Sequence, residues 1–274
     1  MIKVLFFTIL AGVSAGAAVS ATLTHTYRIR FEAVVGTRAF HCGEDYKGVG
    51  RSAATVTPEY FRFYISQVKL VDASGRRVPL TLAQDGVWQQ RDVAFLSFED
   101  PGSDCANGSP QKHEEIAGTA PAGHYTGIEF TLGVPEDLDH ADATIAQSPL
   151  NLSDMFWSWQ DGYKFLRFDA RVTSQGKGAS YIFHLGSTGC TLSSRVATCA
   201  SPNRVTVFLP NFDPEKSVVT ADLGLLLHNA DLSQLARAGG CMSGPDDACQ
   251  PVMRDLGVTF RGQQAAKQQL FYVR

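Results

Sequence analysis

Apolar and polar residues alternate along much of the chain, which is the pattern of half-buried β-strands. Every second residue from Tyr27 to Val35 is apolar, and the residues between are mostly charged. A second alternating run begins at Phe61 and shifts by one position between Ile65 and Val68, which predicts a β-bulge. Further strands are predicted at residues 93–98, 128–132, 165–172, 180–185, 204–209, 257–260 and 269–273.

Helical spacing is scarce. Asp222–Asn229 has leucines at spacings that allow about two helical turns, and Ser153–Trp159 allows about one. Glycine and proline pairs punctuate the remaining segments as turns. Many short strands separated by turns predict a mainly β fold, which we expect to be an antiparallel β-sandwich with elaborated loops and one or two short helices. We expect residues 22–274 to form a single domain.

The first 21 residues have the pattern of a secretory signal peptide. Lys3 precedes a short apolar run, and small residues end the segment at Val19-Ser20-Ala21. The run is shorter than the roughly 20 residues that a membrane-spanning helix needs. No later stretch is apolar enough to span a bilayer. The sequence therefore predicts export to the periplasm without a membrane span.

The six cysteines form an even set, and cysteines of an exported chain usually pair as disulfides. Six cysteines allow 15 connectivities. Cys190 and Cys199 flank one short segment, while Cys241 and Cys249 flank another. Local bridges across these two segments would leave Cys42 and Cys105 to pair with each other.

Charge and motifs exclude several function classes. The formal charge is −3, from 24 basic and 27 acidic residues, without the basic excess typical of nucleic-acid-binding proteins. The sequence has no phosphate-binding loop, no zinc-protease motif and no Cys-x-x-Cys pair. We see no acid–base constellation, and we expect that the protein is not an enzyme.

Histidines and tryptophans remain as the candidate chemistry. His184 ends a predicted strand beside Gly186-Ser187-Thr188-Gly189-Cys190, so the predicted disulfide at Cys190 would hold it in place, as a metal ligand requires. His140 lies in a loop, and His41 is adjacent to Cys42. Trp157 and Trp159 stand two residues apart, so an extended backbone would place both on one face.

Several longer motifs surround these residues. The most specific are Met155-Phe156-Trp157-Ser158-Trp159-Gln160, His184-Leu185-Gly186-Ser187-Thr188-Gly189-Cys190 and Gly240-Cys241-Met242-Ser243-Gly244. Others are Phe40-His41-Cys42-Gly43, Phe61-Arg62-Phe63-Tyr64-Ile65-Ser66, Gly133-Val134-Pro135 with His140, and Pro149-Leu150-Asn151-Leu152. Through these motifs, nearly the whole chain after residue 21 resembles the MbnP family, also called metallo-mystery-pair four-Cys-motif proteins.

This resemblance implies an exported, copper-associated protein. Family members are encoded beside a di-haem partner similar to cytochrome c peroxidases, called MbnH, which oxidises a tryptophan of MbnP to kynurenine. By resemblance, the modified residue is Trp157 or Trp159. The same resemblance favours His184 and His140 as copper ligands, although the family pattern has asparagine where this chain has Asp139.

Imidazole and thioether groups suit copper, so His41, Met155 and Met242 are further candidate ligands. We therefore hypothesise a periplasmic copper-handling protein that is the substrate of an MbnH-type di-haem protein. One alternative is a metal-free, disulfide-bonded β-sandwich that binds a protein or glycan through exposed aromatic residues. A second alternative is a copper enzyme.

Overall fold

The computed structural model describes residues 23–100, 105, 112–193, 196–244 and 249–274. The predicted signal peptide, residues 1–21, lies outside the described residues.

Strands dominate the described part of the chain. In chain order they are β1 (Thr24–Val35), β2 (Arg38–Ala39), β3 (Tyr46–Val49), β4 (Ala54–Asp72), β5 (Arg77–Pro79), β6 (Thr81–Leu82), β7 (Gln89–Gln90), β8 (Val93–Ser97), β9 (Glu115–Pro121), β10 (Tyr125–Leu132), β11 (Phe156–Ser158), β12 (Gly162–Ser174), β13 (Lys177–Gly186), β14 (Thr188–Ser193), β15 (Val196–Ser201), β16 (Val205–Pro210), β17 (Val218–Asp222) and β18 (Phe271–Val273).

The strands form two large sheets and one hairpin. The first sheet has six strands in the order β18–β17–β1–β9–β6, with β2 paired to β1. The second has ten strands and is centred on β4, which pairs with β3, β5, β8, β10 and β12, while β13 pairs with β12. Strands β14 and β15 form a separate hairpin. Pairing is antiparallel except between β1 and β17.

Aromatic side chains from both large sheets meet in the core. Phe31 and Phe271 of the first sheet contact Phe130 of the second, with ring centroids 6.0 and 5.2 Å from the Phe130 ring. Phe63 also contacts Phe271 at 5.4 Å. These contacts place the inner faces of two sheets against each other, so the predicted mainly β sandwich is confirmed.

The predicted bulge lies at the expected place in β4. The register between β4 and β10 shifts between the pairs Ser66–Thr131 and Lys69–Glu129, and Gln67 has φ 54°. Most predicted strands correspond to β1, β4, β8, β10, β12, β13, β16 and β18. The remaining strands, of which β9, β14, β15 and β17 are the longest, were not predicted.

The predicted strand at residues 257–260 is wrong, because these residues follow the end of a helix. Gly257 has φ 88°, its N–H donates to Arg254, and the Val258 N–H donates to Met253. This is a Schellman C-cap, in which a left-handed glycine ends the helix.

Four short helices lie in the described chain: α1 (Glu136–Asp139), α2 (Leu223–Leu226), α3 (Leu232–Arg237) and α4 (Gln250–Asp255). The predicted helix at residues 222–229 is α2, and the Asp222 carboxylate accepts from the N–H groups of Gly224 and Leu225 as its N-cap. The helical turn predicted within Ser153–Trp159 is a 3-10 turn over Ser153–Met155 only, and the residues that follow form β11 instead.

All six cysteines are paired as the spacing suggested. The bridges are Cys42–Cys105, Cys190–Cys199 and Cys241–Cys249. Among the described residues, no helix is long and apolar enough to cross a membrane.

Candidate metal centre

A row of polar side chains crosses the second sheet on the face opposite the core. The register pairs Arg62 of β4 with Arg167 of β12, and Arg167 with His184 of β13. Neighbouring residues Phe61 and Phe168 point into the core, so the polar row faces the other way. Three adjacent strands therefore bring two arginines and a histidine together.

Carboxylates balance the two arginines. Arg62 Nε donates to Glu99 at 2.6 Å, and a second pair joins Arg62 to Asp154. Arg167 also bonds Asp154, at 3.2 Å, and its guanidinium pairs with Asp169 at 2.7 Å. Arg62, Glu99 and Asp169 are buried. Paired buried charges of this kind fix side-chain orientation.

His184 is held by the last carboxylate of this network. Its Nε2 lies 2.7 Å from Asp169 Oδ1. Burial lowers the pKa of the imidazole, and the hydrogen bond to Asp169 offsets that shift only in part. Burial works to raise the pKa of Asp169, but the hydrogen bond from His184 and the charge of Arg167 hold it below its usual value. At neutral pH a neutral imidazole therefore donates from Nε2 to an ionised carboxylate.

The other ring nitrogen of His184 is without a partner. Nδ1 is buried and makes no hydrogen bond among the described residues. Because Nε2 carries the proton, Nδ1 has a free lone pair. Buried polar atoms without a partner are rare and destabilising in folded proteins. A carboxylate on one ring nitrogen with the lone pair of the other left free is the arrangement of a metal-binding histidine.

Trp157 lies beside this histidine. The ring centroids of Trp157 and His184 are 6.5 Å apart, and the indole is half-buried. The indole packs against Gly186, where an added Cβ would lie 2.5 Å from Trp157 Cζ3. Trp159 differs: β11 ends at Ser158, and Trp159 is 60% exposed. The two tryptophans therefore have different surroundings.

The two candidate methionines are also in different surroundings. Met155 is fully buried in the hydrophobic core. Met242 is 52% exposed and follows Cys241. The backbone of Cys241 pairs with that of Phe183 in a parallel β-bridge, and its carbonyl oxygen accepts a hydrogen bond from the His184 N–H at 2.9 Å. His184 and Met242 are the residues that follow the two members of this β-bridge.

His140 belongs to a different neighbourhood. Its Nδ1 lies 3.2 Å from the Trp159 carbonyl oxygen, and its Nε2 lies 3.4 Å from Cys199 Sγ. The ligand atoms of His140, Cys190 and Cys199 lie within 4.8 Å of one another. In the described chain, this is the one group of three His, Cys, Asp or Glu side chains that close together. Both sulfurs are engaged in a disulfide. No hydrogen bond or ring contact joins His140 to His184 among the described residues.

Comparisons with known proteins identify the family of this chain. The MbnP family profile matches residues 24–243. The solved structure of MbnP from Methylosinus trichosporium is similar over 92% of this chain and 98% of that chain, with 30% identity and a TM-score of 0.79. The chain belongs to the MbnP family. A search of curated proteins found no match.

Membership in the MbnP family indicates a methanobactin-associated protein. The resemblance to MbnP proteins led us to expect asparagine at position 139, where this chain has aspartate. The Asp139 carboxylate accepts hydrogen bonds from three groups. These are the Tyr163 N–H at 2.9 Å, the Ser187 hydroxyl at 2.7 Å and Arg204 at 2.9 Å. The substitution leaves the His140 loop well anchored.

His41 lies apart from these groups. Its Nδ1 is 2.8 Å from Asp100 Oδ2, and the imidazole is half exposed. It belongs to no cluster of three metal-ligand side chains in the described ranges.

Asp169 and the two arginines of this MbnP chain are functional candidates that sequence reasoning missed. A signal for them exists, because the two-residue turn Gln175-Gly176 joins Ser174 to Lys177. Counting back from that turn places Arg167 opposite His184, and Asp169 is then a diagonal neighbour of His184. Charged residues in the middle of apolar strands are the second signal.

Proposed function

We propose that this protein binds copper outside the cytoplasm at a site centred on His184. The observation that carries the proposal is the buried Nδ1 of His184, which has a free lone pair and no partner among the residues that the structure describes. Neutral imidazole is a good copper ligand. The three disulfides support export to an oxidising compartment, which we take to be the periplasm.

The Met242 thioether is the second protein ligand in this proposal. It follows Cys241, the β-bridge partner of Phe183, and is exposed enough to move onto a bound ion, whereas Met155 is enclosed by core side chains. Thioether sulfur favours Cu(I). Asp169 and Arg167 would orient the imidazole without touching the metal. Copper is the cargo of this site, and the chain handles it rather than catalysing a reaction with it.

Trp157 is the residue that we propose is converted to kynurenine. Of the two tryptophans, it alone contacts the His184 ring among the described residues. Oxidation with a peroxide adds two oxygen atoms and cleaves the indole C2–C3 bond, and hydrolysis then releases C2 as formate, which leaves an aryl amine and a ketone beside His184. An MbnH-type di-haem partner would supply the oxidising equivalents, so this chain is the substrate of that reaction and not its enzyme.

Coexpression with the di-haem partner tests the proposal. Peptide mapping of residues 155–165 should show the loss of one carbon and gain of one oxygen at Trp157, and the purified protein should contain one copper. The W157F variant should show neither the mass change nor bound copper, whereas W159F should show both. Unmodified Trp157 with an active partner would contradict the proposed modification.

Exposed Trp159 also favours a second candidate function, a binding module for a protein or glycan. Protein that carries no copper after coexpression would support that module instead.

A further inference from the structure

We propose a second copper site, formed by His140, Cys190 and Cys199 when their disulfide is reduced. The ligand atoms of these three residues all lie within 4.8 Å of one another. Two thiolates and an imidazole would then face one point. The site uses none of the residues assigned above to copper binding at His184, and it does not require kynurenine.

The imidazole of His140 is already oriented for a metal. The Trp159 carbonyl oxygen lies within hydrogen-bond distance of Nδ1 and only accepts, whereas Asp139 Oδ2 lies 3.6 Å from Nε2, beyond that distance, so neutral His140 carries its proton on Nδ1. The Nε2 lone pair then faces Cys199 Sγ at 3.4 Å. A disulfide sulfur has no proton to donate, so this contact does not satisfy the lone pair.

The surrounding backbone would keep the three residues together without the S–S bond. Cys190 and Cys199 are directly opposite in the β14–β15 hairpin, with paired residues on both sides. Gln160 Nε2 donates to the Cys190 carbonyl oxygen at 3.3 Å. Asp139, which precedes His140, is anchored by Tyr163, Ser187 and Arg204. Opening the bond therefore need not separate the ligands.

The reduction is a thiol–disulfide exchange with a dithiol reductant. A thiolate of the reductant attacks Cys199 Sγ, which is half-buried where Cys190 is buried. The S–S bond breaks, Cys190 leaves as a thiolate, and the second reductant thiol releases Cys199 as the reductant becomes a disulfide. Binding of Cu(I) to both sulfurs then releases two protons, with no change in copper oxidation state.

The donor set favours Cu(I) over Zn²⁺. Thiolate sulfur is a soft ligand that selects Cu(I) or zinc. Structural zinc sites have four protein ligands in a tetrahedron, whereas this cluster offers three. We therefore expect Cu(I) to be the ion retained.

An H184A chain, made without the di-haem partner, isolates this site. The oxidised protein and protein reduced with dithiothreitol, then desalted without oxygen, are each titrated with Cu(I) bicinchoninate. Thiol alkylation and peptide mapping verify that Cys190 and Cys199 are open. We expect the reduced form to take up one more Cu(I) than the oxidised form, with new thiolate-to-copper ultraviolet absorption. The same titration with Zn²⁺ should give weaker retention.

Two variants decide the assignment. C190S/C199S in the same background should lose the added Cu(I), and H140Q should weaken it by about tenfold or more. If the double variant does not fold, H140Q decides alone, since it retains all three disulfides. Uptake that is absent from the reduced form, or unchanged in H140Q, would overturn the proposal. So would a disulfide that opens only when the protein unfolds.

The outcome is separable from that of the site at His184. Copper in the reduced H184A chain supports the second site even if coexpressed wild-type protein carries none. Copper in oxidised wild-type protein supports the first site even if reduction adds nothing.

Discussion

The imidazoles of His184 and His140 are alike at one ring nitrogen and differ at the other. Each imidazole has one ring nitrogen fixed by an oxygen acceptor, Asp169 Oδ1 for His184 and the Trp159 carbonyl for His140. The second nitrogen of His184 is buried and has no hydrogen-bond partner in the described part of the chain, while that of His140 faces a disulfide. We therefore propose that the first histidine binds a metal in the oxidised protein and that the second does so only after reduction.

The supports of the two histidines also differ. His184 lies on β13 within a ten-stranded sheet, and its acceptor is a buried carboxylate paired with Arg167. His140 lies in a loop whose neighbours come from a two-stranded hairpin. Carboxylates orient a ligand and increase its basicity more than a carbonyl does. We therefore expect His184 to dominate copper binding under oxidising conditions.

Removal of each imidazole gives the largest expected difference. In protein coexpressed with the di-haem partner, H184A should lose its copper, because the substitution removes the free Nδ1 lone pair that we propose binds the metal. H140A should retain copper, since its imidazole faces sulfurs that are bonded to each other. Metal analysis of the purified variants measures both. Copper lost from H140A but retained by H184A would reverse the comparison.

The contact between Gly186 and Trp157 is the next target. In G186A the added Cβ would meet Trp157 and the Tyr163 carbonyl at 2.5 and 2.7 Å. We expect a stability loss of about 1–3 kcal/mol from overpacking, displacement of the indole, and reduced kynurenine and copper. Denaturant unfolding and peptide mapping measure these effects.

G178A is the matched control on the same strand, because its added Cβ would meet only Thr173 Oγ1, at 3.8 Å. Equal effects of G186A and G178A would show that packing against Trp157 is unimportant.

A smaller effect is expected at Asp169. D169N keeps the shape of the side chain but removes the charge that orients His184, so copper affinity should fall by about 10–100-fold. Competition with a Cu(I) chelator measures this change. D213N, at an exposed carboxylate paired with Lys216, should leave the affinity unchanged. An unchanged affinity in D169N would show that the charge of Asp169 does not contribute to copper binding.

Much of the fold was predictable because it depends on local patterns. Alternation predicted β1 and the bulge near Gln67, and cysteine spacing predicted all three disulfides. The wrong strand at residues 257–260 shows the limit, since its apolar residues follow a helix C-cap at Gly257. That helix contains Pro251 and has little periodic pattern to reveal it.

The candidate site was harder to predict, because it depends on register across strands. His184 and both tryptophans were identified, but Asp169 was not, since its contact with His184 exists only after β12 and β13 pair. Met155 has the same side chain as Met242, and only burial separates them. The contact of His140 with Cys199 joins residues 59 positions apart. No local pattern contains that information.

The smallest effect is expected for W159F. Trp159 is 60% exposed, and its main-chain carbonyl, which the substitution keeps, is the group that contacts His140. Copper content should equal that of wild type within experimental scatter, and the free energy of unfolding should change by no more than about 0.5 kcal/mol. A large loss of copper in W159F would move the modified residue from Trp157 to Trp159.

Anomalous diffraction at the copper edge tests the central claim most directly. Crystals of oxidised protein, coexpressed with the di-haem partner, should show one copper peak bonded to His184 Nδ1, beside a modified residue 157. A copper peak on His140 instead, with Nδ1 of His184 still free, would contradict the account.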